Sequence, residues 1–155
     1  MTPRAAELTR LLALAPHPEG GAFREIWRAP SPEGRRGDST AIYFLLNAGE
    51  RSRWHRVDAD ELWQHLEGGP LELLLWREGD AVERVTLGPV DATGTRPQAV
   101  VPQGVWQAAR PLGDYALTGC TVAPAFEFRG FTLLSADPAL ADRLRGRFSD
   151  LAGLI

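Results

Sequence analysis

Residues 49–68 read GERSRWHRVDADELWQHLEG, and within them two short runs, 52–57 and 60–66, flank an acidic turn at Val57–Asp60. Successive side chains on a strand point to opposite faces, so Arg53, His55 and Val57 share one face while Trp54 and Arg56 take the other. In the second run Glu61, Trp63 and His65 share a face in the same way. Folded antiparallel about the turn, the two strands would bring His55 and Glu61 together on one wall. A carboxylate there would favour the imidazolium and fix the ring, as a general base or a metal-ligand pair requires. Asp58 and Asp60 read as turn residues that accept backbone hydrogen bonds.

Outward from this stretch the same pattern continues. Short strands are expected near 70–77, 81–87, 98–101, 105–110, 115–122 and 127–134, separated by GGP, REGD, GPVDATGTRP, PQG, PLGD and APAF. Upstream, STAIYFLLN (39–47) is a nearly continuous apolar run of strand length. Before it, AFREIWRA (22–29) alternates Phe23, Glu25 and Trp27 against Arg24, Ile26 and Arg28. So many short strands bounded by Gly, Pro and Asp predict an all-β sandwich or barrel. A helix is expected at each end. Thr2 caps the first, with Pro3 at its first position and Ala5, Leu8, Leu11 and Leu12 on one face. Asp137 and Pro138 start the second, with Leu140 and Leu144 as its buried stripe. The segment PHPEGGAF (16–23) is too rich in Pro and Gly for helix or central strand, and His17 reads as a loop residue.

Bulk properties exclude several classes of function. A chain of 155 residues suits one domain, 1–155, and 44% apolar with 24% charged residues is ordinary for a soluble globular protein. A net charge of −3 and a pI near 5.6 offer no electrostatic footprint for nucleic acid. Cys120 is alone, so neither an intrachain disulfide nor a thiolate metal cage can form; its setting, YALTGCTVA, reads as a buried strand. No apolar run approaches the ~18 residues of a membrane span, and the N-terminus lacks a signal-peptide layout, so the expectation is a cytoplasmic protein with no membrane partner.

The spacing Gly49, His55, Val57, Glu61, Gly68 resembles the first cupin motif, and Pro102, Gly104, Gln107 resembles the second. More specifically, PHPEGGAFRE, STAIYFLL, WHRVDADELWQH, PLELL, PQAVVPQGVWQAA and GCTVAPAFEF, spread over roughly residues 16–131, resemble DUF985 (Cupin_5), a cupin family often labelled predicted sugar epimerases. That resemblance implies a double-stranded β-helix, or jelly-roll barrel, with short terminal helices, commonly a homodimer, and a small-molecule cavity at its mouth. Metal-binding cupins typically offer three histidines and a glutamate. This chain keeps His55 and Glu61 but has Val57 for the second histidine and Gln107 for the third.

The resulting expectation is an epimerase or isomerase acting on a sugar derivative or other carbonyl compound and requiring no cofactor. His55, oriented by Glu61, removes a proton next to the carbonyl, and Tyr43 or Gln107 stabilises or protonates the enolate. Gln107, Trp63 and His65 form the expected substrate-binding set, with Trp63 as an apolar platform and His65 on the cavity wall or in the core. Two alternatives stand beside it: a non-catalytic metabolite-binding cupin, and an enzyme holding a divalent ion weakly at His55, Glu61 and Gln107.

Overall fold

The computed structural model describes residues 1–155. Helix α1 (Pro3–Leu11) comes first. Eleven strands follow: β1 (Ala15–Pro16), β2 (Ala22–Arg28), β3 (Thr40–Asn47), β4 (Ser52–Val57), β5 (Asp60–Gly68), β6 (Leu71–Trp76), β7 (Glu83–Leu87), β8 (Gln98–Val101), β9 (Trp106–Pro111), β10 (Tyr115–Ala123) and β11 (Phe131–Leu133). Helix α2 (Pro138–Arg147) and a 3₁₀ segment at Ser149–Leu154 close the chain. The strands form a six-stranded antiparallel sheet, β1-β2-β3-β10-β5-β8, facing a five-stranded one, β11-β4-β9-β6-β7. This is the expected all-β jelly-roll barrel with short terminal helices. No helix is long and apolar enough to cross a membrane.

The runs that looked continuously apolar are covered on both faces, as buried sheets are. On β3, Phe44 and Leu46 enter the core between the sheets, while Leu45 faces out and is covered by Ala5 and Leu8 of α1. On β6, Leu71, Leu73 and Leu75 point inward; Leu74 and Trp76 pack outward beneath Leu140 and Leu144 of α2. Both helix starts are as expected: Thr2 Oγ1 accepts from the Ala5 amide at 3.2 Å, and Asp137 Oδ1 accepts from Leu140 at 3.0 Å. Leu11, expected on the packed face of α1, is exposed.

Three local departures matter for the site. Strands β4 and β5 do not pair with each other: β4 lies between β9 and β11, and β5 between β10 and β8. The turn at 57–60 therefore carries the chain from one sheet to the other, and His55 and Glu61 face each other across the barrel from opposite walls. In β2, a bulge at Ile26 breaks the alternation, pairing Glu25 with Ile42 but Trp27 with Ala41 and Arg28 with Thr40. Arg28 consequently turns inward where Trp27 was expected, and Trp27 is left 54% exposed. The expected strand at 127–134 is shortened by a 3₁₀ turn at Phe128–Gly130, which brings its phenylalanines to the barrel mouth.

Candidate functional site

One cavity opens between the sheets, with about 620 Å³ of space counting its mouth. The strands carry its polar groups inward by simple alternation: His55 from β4, Glu61 and Trp63 from β5, and Cys120 from β10, where it pairs with Trp63. Val57, in the position of a cupin histidine, lines the same wall with its methyl groups.

Two further polar residues come from the PHPEGG segment. His17 and Glu19 both line the cavity, and both side chains are almost wholly buried. Their segment is stitched in place by its backbone: His17 N–H donates to Gly21 O and Gly20 N–H to His17 O, both at 3.0 Å, and Arg53 N–H donates to Glu19 O at 2.9 Å. Gly20 and Gly21 take φ values of +114° and +70°, and a Cβ on Gly21 would stand 2.7 Å from the Leu45 carbonyl oxygen. The paired glycines are thus what allow the chain to lie against β3 and aim Glu19 inward. Gly21→Ala is expected to lower stability by roughly 1–3 kcal/mol in urea unfolding, and to shift the His17 ring resonances.

Glu19 is the hub of this cluster. Its Oε1 accepts from Ser52 Oγ at 2.7 Å, and its Oε2 lies 3.3 Å from His55 Nε2 and 3.5 Å from His17 Nδ1. His55 Nδ1 sits 2.7 Å from the Arg53 carbonyl, which assigns its proton to Nδ1 and leaves Nε2 as the acceptor facing Glu19. His17 Nδ1 accepts the Glu19 amide at 3.3 Å, which puts the His17 proton on Nε2. The carboxyl in contact with His55 is therefore Glu19, while Glu61, the partner the sequence suggested, acts on His55 through its charge from the facing wall. The ring of His55 also stacks on Phe131, centroids 5.2 Å apart.

Glu61 is held separately. Gln107 Nε2 donates to its Oε2 at 2.6 Å, and Trp63 Nε1 donates to Gln107 Oε1 at 2.9 Å, forming a buried chain Trp63–Gln107–Glu61. Gln107 is 0% exposed and does not line the cavity. It stands behind Glu61 as a positioning residue.

Burial sets the charge state of the whole cluster. It raises the Glu61 carboxyl to about 7, opposed by the nearby His55 and reinforced by Glu19. Burial likewise pushes Glu19 up and both His17 and His55 down. The Cys120 thiol is driven well above its ordinary range by burial and the two carboxyls, so it is no nucleophile here. At neutral pH the cavity floor holds neutral imidazoles beside a carboxyl poised to gain or lose a proton.

Of the residues expected at the site, His55, Glu61 and Trp63 line one cavity. Tyr43 lies on the outer side of β3 and packs with the α1 cluster, the opposite face from Ile42 and Phe44, so it cannot serve as an acid in the cavity. His65 is two residues beyond Trp63 and outside the cavity, its Nε2 3.1 Å from the Gly69 carbonyl. For a metal, Gln107 would have to abandon both Trp63 and Glu61, and His17, Glu19 and His55, though close together, are not arranged to hold an ion. The trio His55, Glu61 and Gln107 does not fit a metal as arranged, and no step is derived through one. Glu19 was missed because a carboxylate between Pro18 and Gly20 reads as a solvated loop. The available signal was the run of two glycines, which permits close backbone approach.

A family model described as Cupin superfamily (DUF985) matches residues 6–134. Among solved structures, a protein of Shewanella oneidensis is 32% identical with a TM-score of 0.85, covering 96% of each chain. A hypothetical protein from Leishmania major is 27% identical with a TM-score of 0.81, covering 97% of this chain and 96% of that one. Oxalate decarboxylase from Bacillus subtilis, at 14% identity and a TM-score of 0.63 over 90% of this chain and 36% of that one, shares the fold alone. No curated protein matches the chain significantly. With the barrel in place and the family match spanning most of its length, the chain belongs to the DUF985 family of the cupin superfamily.

Proposed function

We propose that the cavity catalyses proton transfer at a carbon next to a carbonyl, as an epimerase or isomerase does. The observation that carries this reading is Glu61: an inward carboxyl raised by burial to about 7, in an open cavity, opposite a histidine held in a single tautomer. A general acid-base group works best with its pKa near the working pH, so Glu61 is suited both to take a proton and to return it.

The roles follow from the hydrogen bonds. Glu61 on the six-stranded wall takes the α-proton, and Gln107, donating to Oε2, keeps its carboxyl aimed at the cavity. The electron pair of the broken C–H bond moves onto the carbonyl oxygen. His17 Nε2–H has no protein partner and is the donor available to that oxygen. Glu19 starts protonated, its Oε2 facing His55 Nε2 and its carboxyl pushed up by burial. This couple on the facing wall gives that proton to the opposite side of the carbon, leaving Glu19 ionised and Glu61 protonated, and exchange with solvent restores both. All 17 basic side chains are arginines, so no lysine is present to form a Schiff base with the carbonyl, and activation rests on hydrogen bonding.

The test is incorporation of deuterium from D₂O into α-chiral aldehydes and ketones, followed by NMR with the wild-type protein and with His55→Ala. The expected result is enzyme-dependent exchange together with loss of configuration, and a variant slowed by roughly 10²–10⁴-fold. An unaltered exchange rate in His55→Ala sinks the assignment. A ligand that raises the melting temperature but emerges unchanged after long incubation identifies the non-catalytic binding protein instead.

A further inference from the structure

The walls of the cavity say more about its ligand than the floor does. Five of the six phenylalanines in the protein line it: Phe23, Phe44, Phe126, Phe128 and Phe131, with Trp63 beside them. Those near the mouth pack edge to face, Phe126 on Phe128 at 5.0 Å and Phe128 on Phe131 at 6.3 Å. Phe128 nevertheless remains 58% exposed, a large apolar ring at the entrance with nothing covering its outer side.

Charge narrows the choice further. Arg28 is the one cationic side chain of the lining, and its charge is already matched by Glu25, with three of its five N–H groups bonded. Nε and Nη2 donate to the two Glu25 oxygens at 3.0 and 2.7 Å, and Nη1 donates to the Phe126 carbonyl at 3.0 Å. A phosphorylated or nucleotide-linked ligand would bring its negative charge beside Glu19 and Glu61 with no free cation to meet it. Aromatic rings do stack on sugars, but each buried hydroxyl also needs a hydrogen-bond partner. Around the mouth those partners are few and already partly used: Thr40 Oγ1 accepts from Phe126 N–H at 2.9 Å, and Glu25 is paired with Arg28. Most of the groups able to receive a ligand's polar atom, His17, Glu19, His55 and Glu61, lie on the floor.

We infer that the site takes a compact, uncharged carbonyl compound bearing an aryl or similarly flat apolar group. Its ring lies among Phe23, Phe128 and Phe131, and its carbonyl end points to Glu61 and the His17–Glu19–His55 cluster. This substrate class rests on the proton-transfer reading for its orientation and on the lining for its chemistry.

2-Phenylpropanal is a suitable probe, against D-xylose and UDP-glucose as the free and nucleotide-linked sugars. Binding is read from the indole N–H resonance of Trp63 and from the melting temperature of the full chain. The aldehyde is expected to shift both, with neither sugar doing so at the same concentration. Phe128→Ala is expected to weaken aldehyde binding about tenfold while lowering the unliganded melting temperature only slightly, because the lost ring is more than half exposed. Tighter binding of either sugar than of the aldehyde overturns the inference, as does an aldehyde titration that moves neither signal. α-Hydrogen exchange separates the two claims. Aldehyde that binds without exchanging upholds the ligand class and removes the proton-transfer reading; exchange of an aldose without aldehyde binding does the reverse.

Discussion

Glu61→Gln is expected to slow α-proton exchange by roughly 10²–10⁴-fold and to abolish the inflection near pH 7 that the wild-type rate should show. The substitution keeps the shape of the side chain and an oxygen for Gln107 to bond, so the Trp63–Gln107 chain behind it stays intact. What disappears is a carboxyl that burial has raised from 4.5 to about 7. The same shift dictates a stability effect of opposite sign. Below pH 4.5 Glu61 is protonated in both folded and unfolded chains and contributes no penalty. Between 4.5 and about 7 the unfolded carboxyl ionises while the folded one resists, so stability is lost as pH rises through this window. Above it the loss levels off at about 3 kcal/mol. Glu61→Gln should therefore be more stable than wild type at pH 8 and no more stable at pH 4, a stability gain accompanying a loss of activity. Urea unfolding at the two pH values, beside exchange rates from pH 5 to 9, checks both halves. A wild-type rate flat across pH 7 would remove Glu61 from its role.

The second large effect is expected at Trp63. Its indole is buried between the sheets, packs edge to face on Phe44 at 5.7 Å, and donates to Gln107. Trp63→Ala empties that volume and should cost roughly 3–5 kcal/mol. Trp63→Phe separates packing from hydrogen bonding: it keeps most of the apolar contact but leaves Gln107 Oε1 unpaired, for roughly 1–3 kcal/mol. The phenylalanine variant also has a kinetic signature. The Gln107 hydrogen bond lowers the Glu61 pKa, so a glutamine freed from its anchor should let the rate inflection move upward in pH. Denaturant midpoints for both variants, with the pH profile of the phenylalanine form, decide between this coupling and simple loss of packing. An inflection that stays in place while stability falls would assign Trp63 to the core alone.

Much of the site's chemistry was legible without coordinates. The alternation around His55 and around Glu61 put both on inward faces, and Pro102-x-Gly104 correctly preceded a strand carrying Gln107 inward. The resemblance to DUF985 was borne out by the family match. The relation between these residues was not legible, because period-two patterning reports which face a side chain takes and says nothing about which strand lies beside it. His55 pairs with Gln107 on β9 and Glu61 with Val122 on β10, partners about fifty to sixty residues away in sequence.

By itself, then, the sequence determined the series of short strands, the capped helix at each end, and a His and a Glu turned toward a common core, since each depends on local chemistry: alternation, Pro and Gly punctuation, and caps. Only the tertiary structure decided that His55 and Glu61 face each other from different sheets, and that one bulge at Ile26 exchanges Trp27 for Arg28 at the cavity. It also decided that Glu19 and His17 dock beside His55, and that Tyr43 and His65 stay outside. The reason is physical. These outcomes depend on strand pairing and backbone approach between distant segments, and on burial that exists only once the sheets have closed over the carboxyls.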